Sequence, residues 1–302
     1  MKKIFFSFVT LMSLIFVACN KDEDITIENP EGDPNTPSGT TVTLNYKVVE
    51  YLPAPGQYIN EVANGSSKIS SPSEACTYAE ERFQKGLYVS LGAWGGYIVI
   101  KFDDPVVNNG GYDFAISSNS FDTSSEPGIV WVMTDTNGNG QPDDTWYELK
   151  GSHFGKNGYE RNYWVTYTRP DSKGNTSWID SNGETGFVKW LGSFHSQDFY
   201  YPDWILENSY TYYGSRLPAQ AELNSQNIWI NKPFEWGYVD NFGTDFVKNG
   251  NKNRFKISDA VDEDNLPVNL PKIDFIKVQT AINSTNNLLG ENSTEVCGFF
   301  TE

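Results

Sequence analysis

Histidine is nearly missing from this chain, with two residues in 302, and cysteine is little commoner, with three. So few nitrogen and sulfur ligands argue against a zinc centre, where three or four must converge on one ion. Residue types for a Ser-His-Asp triad exist, but no triad signature and no G-x-S-x-G elbow occurs. His195, in GSFHSQDFYYP, reads as a hydrogen-bonded loop residue rather than a base. Positive charge is also scarce: 22 Lys and Arg face 39 Asp and Glu, a formal charge of −17. Such a surface repels phosphate backbones, so no nucleic acid is expected as a partner; cations and neutral ligands are admitted. Paired acids such as Asp103-Asp104 and Asp262-Glu263-Asp264 raise glycoside hydrolysis, but neighbours along a strand point to opposite faces. The expected protein is not an enzyme.

Long apolar runs are confined to the start. MKKIFFSFVTLMSLIFVACN carries two lysines and an apolar run from Ile4 to Ala18, too short for a good membrane span. Residues 1–18 read as a signal peptide. Ile15 to Cys19 resembles a lipoprotein cleavage box, with Phe16 a poor fit, and makes Cys19 the lipidated N-terminus. A plain secretory signal with an incidental cysteine is the alternative. The acids of Asn20-Lys21-Asp22-Glu23-Asp24 resemble the export signal that places lipoproteins on the outer face of the outer membrane, or are simply solvated tether. Residues 19–41, rich in Pro, Gly, Thr and acid, read as a disordered tether. Residues 42–302 remain as one large β body or two intimate smaller ones. After lipidation only Cys76 and Cys297 are left, as a disulfide or as two separate thiols.

Helix signals are almost absent from the body. SPSEACTYAEERFQKG, residues 71–86, is the one candidate, with Ser73 as cap, Gly86 as stop and Ala75, Tyr78, Ala79 and Phe83 on one face. Elsewhere TLNYKVVEYL, YIVIKF, YDFAIS, GIVWVMT, TWYEL, YWVTYT, NIWI and IDFIKVQT read as strands between Gly, Asn and Asp turns. GIVWVMT is apolar on both faces and is expected to be central. Many short strands without repeats predict an all-β sandwich or barrel. The aromatic stretch 159–213 shows little clean periodicity and reads as a long insertion or an elaborate loop face.

DTNGNGQPDD, residues 135–144, has the front half of a calcium loop. Asp135, Asn137 and Asn139 hold places one, three and five, Gly140 allows the turn at six, the Gln141 carbonyl fills seven, and Asp143 stands at nine. Trp146 occupies the twelfth place, so the missing oxygens are assigned to Asp144 or Glu148. Strand-like flanks make this loop a rigid clamp rather than a sensor that opens a helix pair. A solvated turn with incidental acids is the plainer reading. A second possible metal site draws on Asn119, Asp122, Glu126, Glu291 and Glu295, if their loops meet.

LGAWGGYIVIKFDDPV, GGYDFAISSNSFDTSSEPGIVWVMTDTNGNGQPDDTWYELKGS, FHSQDFYYPDWI, YGSRLP, WGYVDN and IDFIKVQTAINSTNNLLGENSTEV together resemble a family of Bacteroidetes cell-surface lipoproteins. Members are often labelled only as surface or PKD-domain proteins. The resemblance runs from about residue 43 to 300. It implies a jelly-roll-like β-sandwich with calcium in the acidic loop, displayed on the outer membrane by its lipid anchor. It also implies capture of cobalamin or another corrinoid for a TonB-dependent receptor. Val239 departs from the common GYADN, and no PKD domain fits before the sandwich. On that reading Trp178, Trp190, Tyr200, Tyr201 and Trp204 supply ring contacts, while Gln197, Asp198 and Arg216 reach polar groups of the ligand. Two other readings stand beside it: a glycan-binding module, and a calcium-stabilised adhesive protein whose rings are all core.

Overall fold

The computed structural model describes residues 42–60, 69–192, 197–286 and 290–302. Residues 1–41, where a signal peptide, a lipidated Cys19 and a tether are expected, and His195 lie outside the described residues. The fold is an all-β sandwich. Among the described residues no helix is long and apolar enough to cross a membrane.

A central antiparallel sheet has the order Tyr46–Leu52, Tyr97–Val107, Lys272–Thr280, Gly128–Met133, Tyr147–Leu149, Ala260–Val261. As the sequence predicts, Gly128–Met133 is an interior strand. Val130 and Val132 enter the main core, and Ile129 and Met133 are buried in smaller clusters. A second sheet orders Phe246–Val247, Lys252–Phe255, Phe114–Ser117 and Gly298–Thr301. Aromatic edges join it to the first: the Tyr46 ring lies 5.3 Å from Phe299, and Phe83 of the helix lies 6.0 Å from Phe299.

The third sheet corrects the loop reading of 159–213. Strands Ser209–Arg216, Glu160–Thr168, Thr176–Asp180 and Thr185–Val188 pair in that order, joined by the connections 169–175, 181–184 and, longest, 189–208. Alternation is present but carried by unusual residues. Tyr163, Val165 and Tyr167 point inward and are buried, while Trp164, Thr166 and Thr168 take the other face. The Tyr167 hydroxyl donates to the Trp94 carbonyl at 2.9 Å, tying this sheet to the turn before Tyr97–Val107.

The helix spans Pro72–Gln84, and its cap is Ser71 rather than Ser73: the Ser71 hydroxyl accepts from the Glu74 N–H at 3.2 Å. Pro72 at the first turn loses nothing by lacking an N–H there. Ala75, Ala79 and Phe83 are buried as the spacing predicts. Cys76 and Cys297 are free thiols, which corrects the disulfide alternative. They sit against different groups, Cys76 beside the Tyr51 backbone and Cys297 near Asp240 and Glu295. Burial pushes both thiols up, so both are protonated. Replacing Ser71 by Ala should lower unfolding free energy by about 1 kcal/mol. Ser73→Ala should change it far less, and denaturant titration of both variants separates the two caps.

Candidate functional site

The acidic loop joins two strands as expected, running from Gly128–Met133 to Tyr147–Leu149. Asp135 Oδ2 accepts from the Gly140 N–H at 2.9 Å, and Asp135 Oδ1 is buried with no hydrogen-bond partner. The carbonyls of Asn137 and Asn139 cap the N–H groups of Asn139 and Gln141, at 2.9 and 2.7 Å. Both amide groups turn their NH2 ends to Asp143, at 3.1 and 2.9 Å. Gly138 and Gly140 have φ of 71° and 73°, the left-handed region that the winding needs. The loop therefore closes Asn137, Asn139 and Asp143 into one hydrogen-bonded ring, with Asp135 tied to its turn at Gly140. Oxygen donors and the bare Asp135 oxygen fit a hard cation.

Asp144 and Glu148 stand apart from that ring. Asp144 accepts from the Thr136 N–H at 3.0 Å and from its hydroxyl, latching the base of the loop. Glu148 is a correction: it points away from the loop and is buried, taking hydrogen bonds from Ser215 at 2.6 Å and Tyr159 at 2.9 Å. It pairs across the sheet with Trp131, so it belongs to the face beneath the hairpin.

The second set of acids gives the more concentrated site. Glu126, Asp240 and Glu295 each bring a carboxylate oxygen within 4.8 Å of the others. Three distant segments build this cluster. Glu126 precedes Gly128–Met133, Asp240 lies in the WGYVDN turn, and Glu295 opens the strand Glu295–Val296 that pairs with Val89–Ser90. The Glu126 N–H donates to the Asp240 carbonyl at 2.9 Å, and the Glu295 N–H donates to Asp240 Oδ2 at 2.9 Å. Ser90 Oγ donates to Glu295 at 3.1 Å, and the Asn292 amide N–H to Glu126 at 3.4 Å. Asp240 has φ 55°, a conformation that Asp and Asn tolerate better than most residues.

Only part of the sequence set meets here. Glu126 and Glu295 converge. Glu291 instead accepts from the Gln57 N–H at 2.7 Å, and Asp122 is exposed and outside the group, while Asn119 is half-buried in the segment that follows Phe114–Ser117. Asp240 was missed because an aspartate in a Gly-Tyr-Val-Asp-Asn run reads as a surface turn. Its one signal is the β-bridge that Val239 forms with Gly128, which places the turn beside Glu126.

Burial raises the pKa of all three carboxyls. The neighbouring carboxylates of the group raise Glu126 and Asp240 further, while Glu295 is eased down by hydrogen bonds from Ser293, Ser90 and Glu126 and raised by the charge of Glu291. Glu295 is pushed up to about 7. At 4.8 Å two carboxylates repel by roughly 3 to 4 kcal/mol at an effective dielectric of about 20. Because these folded-state values lie above the unfolded ones, the stability they allow is present at low pH and lost as pH rises through about 7. In chelator, Asp240→Asn should therefore gain melting temperature relative to wild type between pH 5 and 8. A difference between the two proteins that is flat with pH would contradict this electrostatic account.

The expected ligand residues fare differently. Tyr200, Tyr201 and Trp204 are core, at 1, 1 and 5% exposure. Trp190 is covered by the Lys173 ammonium at 4.7 Å and donates to the Gln197 carbonyl at 2.9 Å. The Gln197 amide in turn donates to the Gln57 carbonyl. Trp178 is on the inward side of its sheet, lying against Gly186. Arg216 is occupied by Glu160 at 3.2 Å and the Tyr163 ring at 4.9 Å. Asp198 is exposed and pairs with Lys173 at 3.6 Å. Most of these side chains hold the structure together.

Exposed rings lie elsewhere: Phe121 and Trp229 on separate segments, and Tyr213 and Phe187 together on the outer face of the third sheet. Cross-strand pairing sets Tyr213 opposite Trp164, then a row of Thr211, Thr166, Ile179 and Thr185, then Ser209, Thr168, Ser177 and Phe187. Tyr213, Phe187 and Ile179 are 69, 56 and 44% exposed. No family model matches the chain, and no curated protein is similar enough to serve as a relative.

Proposed function

We propose that this chain is a non-catalytic, lipid-anchored protein of the outer cell surface that captures a ligand on the outer face of its third sheet. The observation that carries this reading is the exposed set Tyr213, Phe187 and Ile179 among threonine and serine hydroxyls. The face is stiff, because Tyr163, Tyr167 and Tyr212 fill the core directly behind it. Rings beside hydroxyls suit a molecule with apolar faces and polar edges. Cobalamin or another corrinoid, passed on to a TonB-dependent receptor, is the first ligand class, in line with the family resemblance. A glycan is the second, favoured by flatness: from strand spacing and rise, Trp164 and Phe187 stand roughly 17 Å apart, room for an extended sugar chain. Calcium in the Asp135 loop acts as a clamp on the long hairpin.

Calorimetry of the mature protein with cyanocobalamin, and a glycan array, separate the two ligand classes. Trp164→Ala combined with Tyr213→Ala should weaken the positive ligand at least about tenfold. The melting temperature should barely move, since Tyr213 is exposed and Trp164 faces outward. Unchanged affinity in the double variant would place the ligand elsewhere. No binding to either class at high micromolar concentration would remove the capture reading. Asp135→Ala should lower the calcium-dependent part of the melting temperature and leave the circular dichroism spectrum intact.

A further inference from the structure

We infer that Glu126, Asp240 and Glu295 form a divalent-cation site, best suited to calcium, that locks the Glu295–Val296 strand onto the core beside Gly128. This site is separate from the Asp135 loop and independent of which ligand the outer face holds.

Two further oxygens point to an ion rather than to a chance meeting of acids. Asp240 Oδ1 meets no donor in ordinary hydrogen-bond geometry, with the Ser118 hydroxyl and the Ser120 N–H as the donors near this carboxylate, on a side chain that is 1% exposed. Asn292 is 8% exposed, and its Oδ1 is likewise unpartnered while its Nδ2 is held by Glu126. A buried amide oxygen and a buried carboxylate oxygen are thus left bare on two residues hydrogen-bonded to Glu126 and Glu295, where native interiors rarely leave such atoms unpaired. The ion pairs of the described residues all lie elsewhere, so no described Lys or Arg bridge neutralises the three acids. A bound cation answers both deficits together, as charge partner for the carboxylates and as acceptor of the bare oxygens.

The donors choose the ion. All are hard oxygens: three carboxylates, the Asn292 amide and, at 3.1 Å from Glu295, the Ser90 hydroxyl. Cys297 is nearby, but its sulfur is not among the ligand atoms that converge within 4.8 Å. Calcium accepts six to eight oxygens in irregular geometry, whereas magnesium demands a small octahedron. Segments around residues 126, 240 and 292–295 would then be tied through one ion, a cross-link between parts of the chain that share few covalent neighbours.

The test is calcium calorimetry on the mature protein carrying Asp135→Asn, which silences the hairpin loop. That protein should still bind one calcium, and the ion should raise its melting temperature more than equal magnesium does. Adding Asp240→Asn, an isosteric change that Asn accepts at this φ, should weaken binding at least about tenfold. Should that double variant misfold, Glu126→Gln in the same background gives the equivalent readout. Loss of all calcium binding with Asp135→Asn alone overturns the site. So does unaltered calcium affinity when either cluster residue is changed. Failure of ligand capture in the outer-face variants leaves both results unaffected, so the two readings fall separately.

Discussion

Three carboxylates cannot share one buried junction as three bare anions. That constraint governs the place where the Glu126 segment, the WGYVDN turn and the C-terminal strand meet, because Glu126, Asp240 and Glu295 all lie there. Either protons or a cation must neutralise them. The chain answers with backbone N–H groups aimed at Asp240 and Glu126, with a serine on Glu295, and with two oxygens left open. A hydrogen-bonded acid cluster alone would close those oxygens. On the cation-site proposal, the junction is arranged for a charge that the protein itself does not carry.

The rest of the molecule makes that arrangement rigid. Glu126 leads directly into an interior strand of the central sheet, and Val130 and Val132 of that strand are fully buried. Thr294, one residue before Glu295, donates to the Glu126 carbonyl at 2.8 Å. Cys297 and Phe299 continue into the core beside Tyr46 and Phe83. Pinning the junction thus pins the seam between the central sheet and the second sheet. The acidic hairpin and the outer face hang on the same framework: the Asp135 N–H is held by Asp274 of Lys272–Thr280 at 2.9 Å, and Tyr212 reaches the Pro53 carbonyl at 2.7 Å. Chemistry is concentrated at the ends and faces of an all-β body.

Much of this was legible in the residues. Strands rich in Val, Ile, Tyr and Trp between Asn and Gly turns announced the all-β class, and the doubly apolar GIVWVMT announced its own central position. The Asp135 loop was legible because its donors are contiguous. The Glu126 site was only half legible, since Glu126 and Glu295 lie 169 positions apart in the numbering and Asp240 is hidden in a turn. No local pattern encodes a meeting of that kind. The outer sheet misled for a different reason. Along Glu160–Thr168 the inward positions are Tyr163, Val165 and Tyr167 and the outward ones Trp164, Thr166 and Thr168, so hydropathy alternates weakly even though side chains alternate fully. Large rings such as Tyr200, Tyr201 and Trp204 were read toward a ligand because sequence does not distinguish a ring that fills a core from one that meets solvent.

Crystals of the mature protein grown with calcium, or with a lanthanide in its place, test the central claim most directly through anomalous scattering. The account predicts a peak among Glu126, Asp240 and Glu295, with Asn292 Oδ1 turned toward it. A fully ordered junction without such a peak in saturating metal, its three carboxyls closed on one another by shared protons, would contradict it.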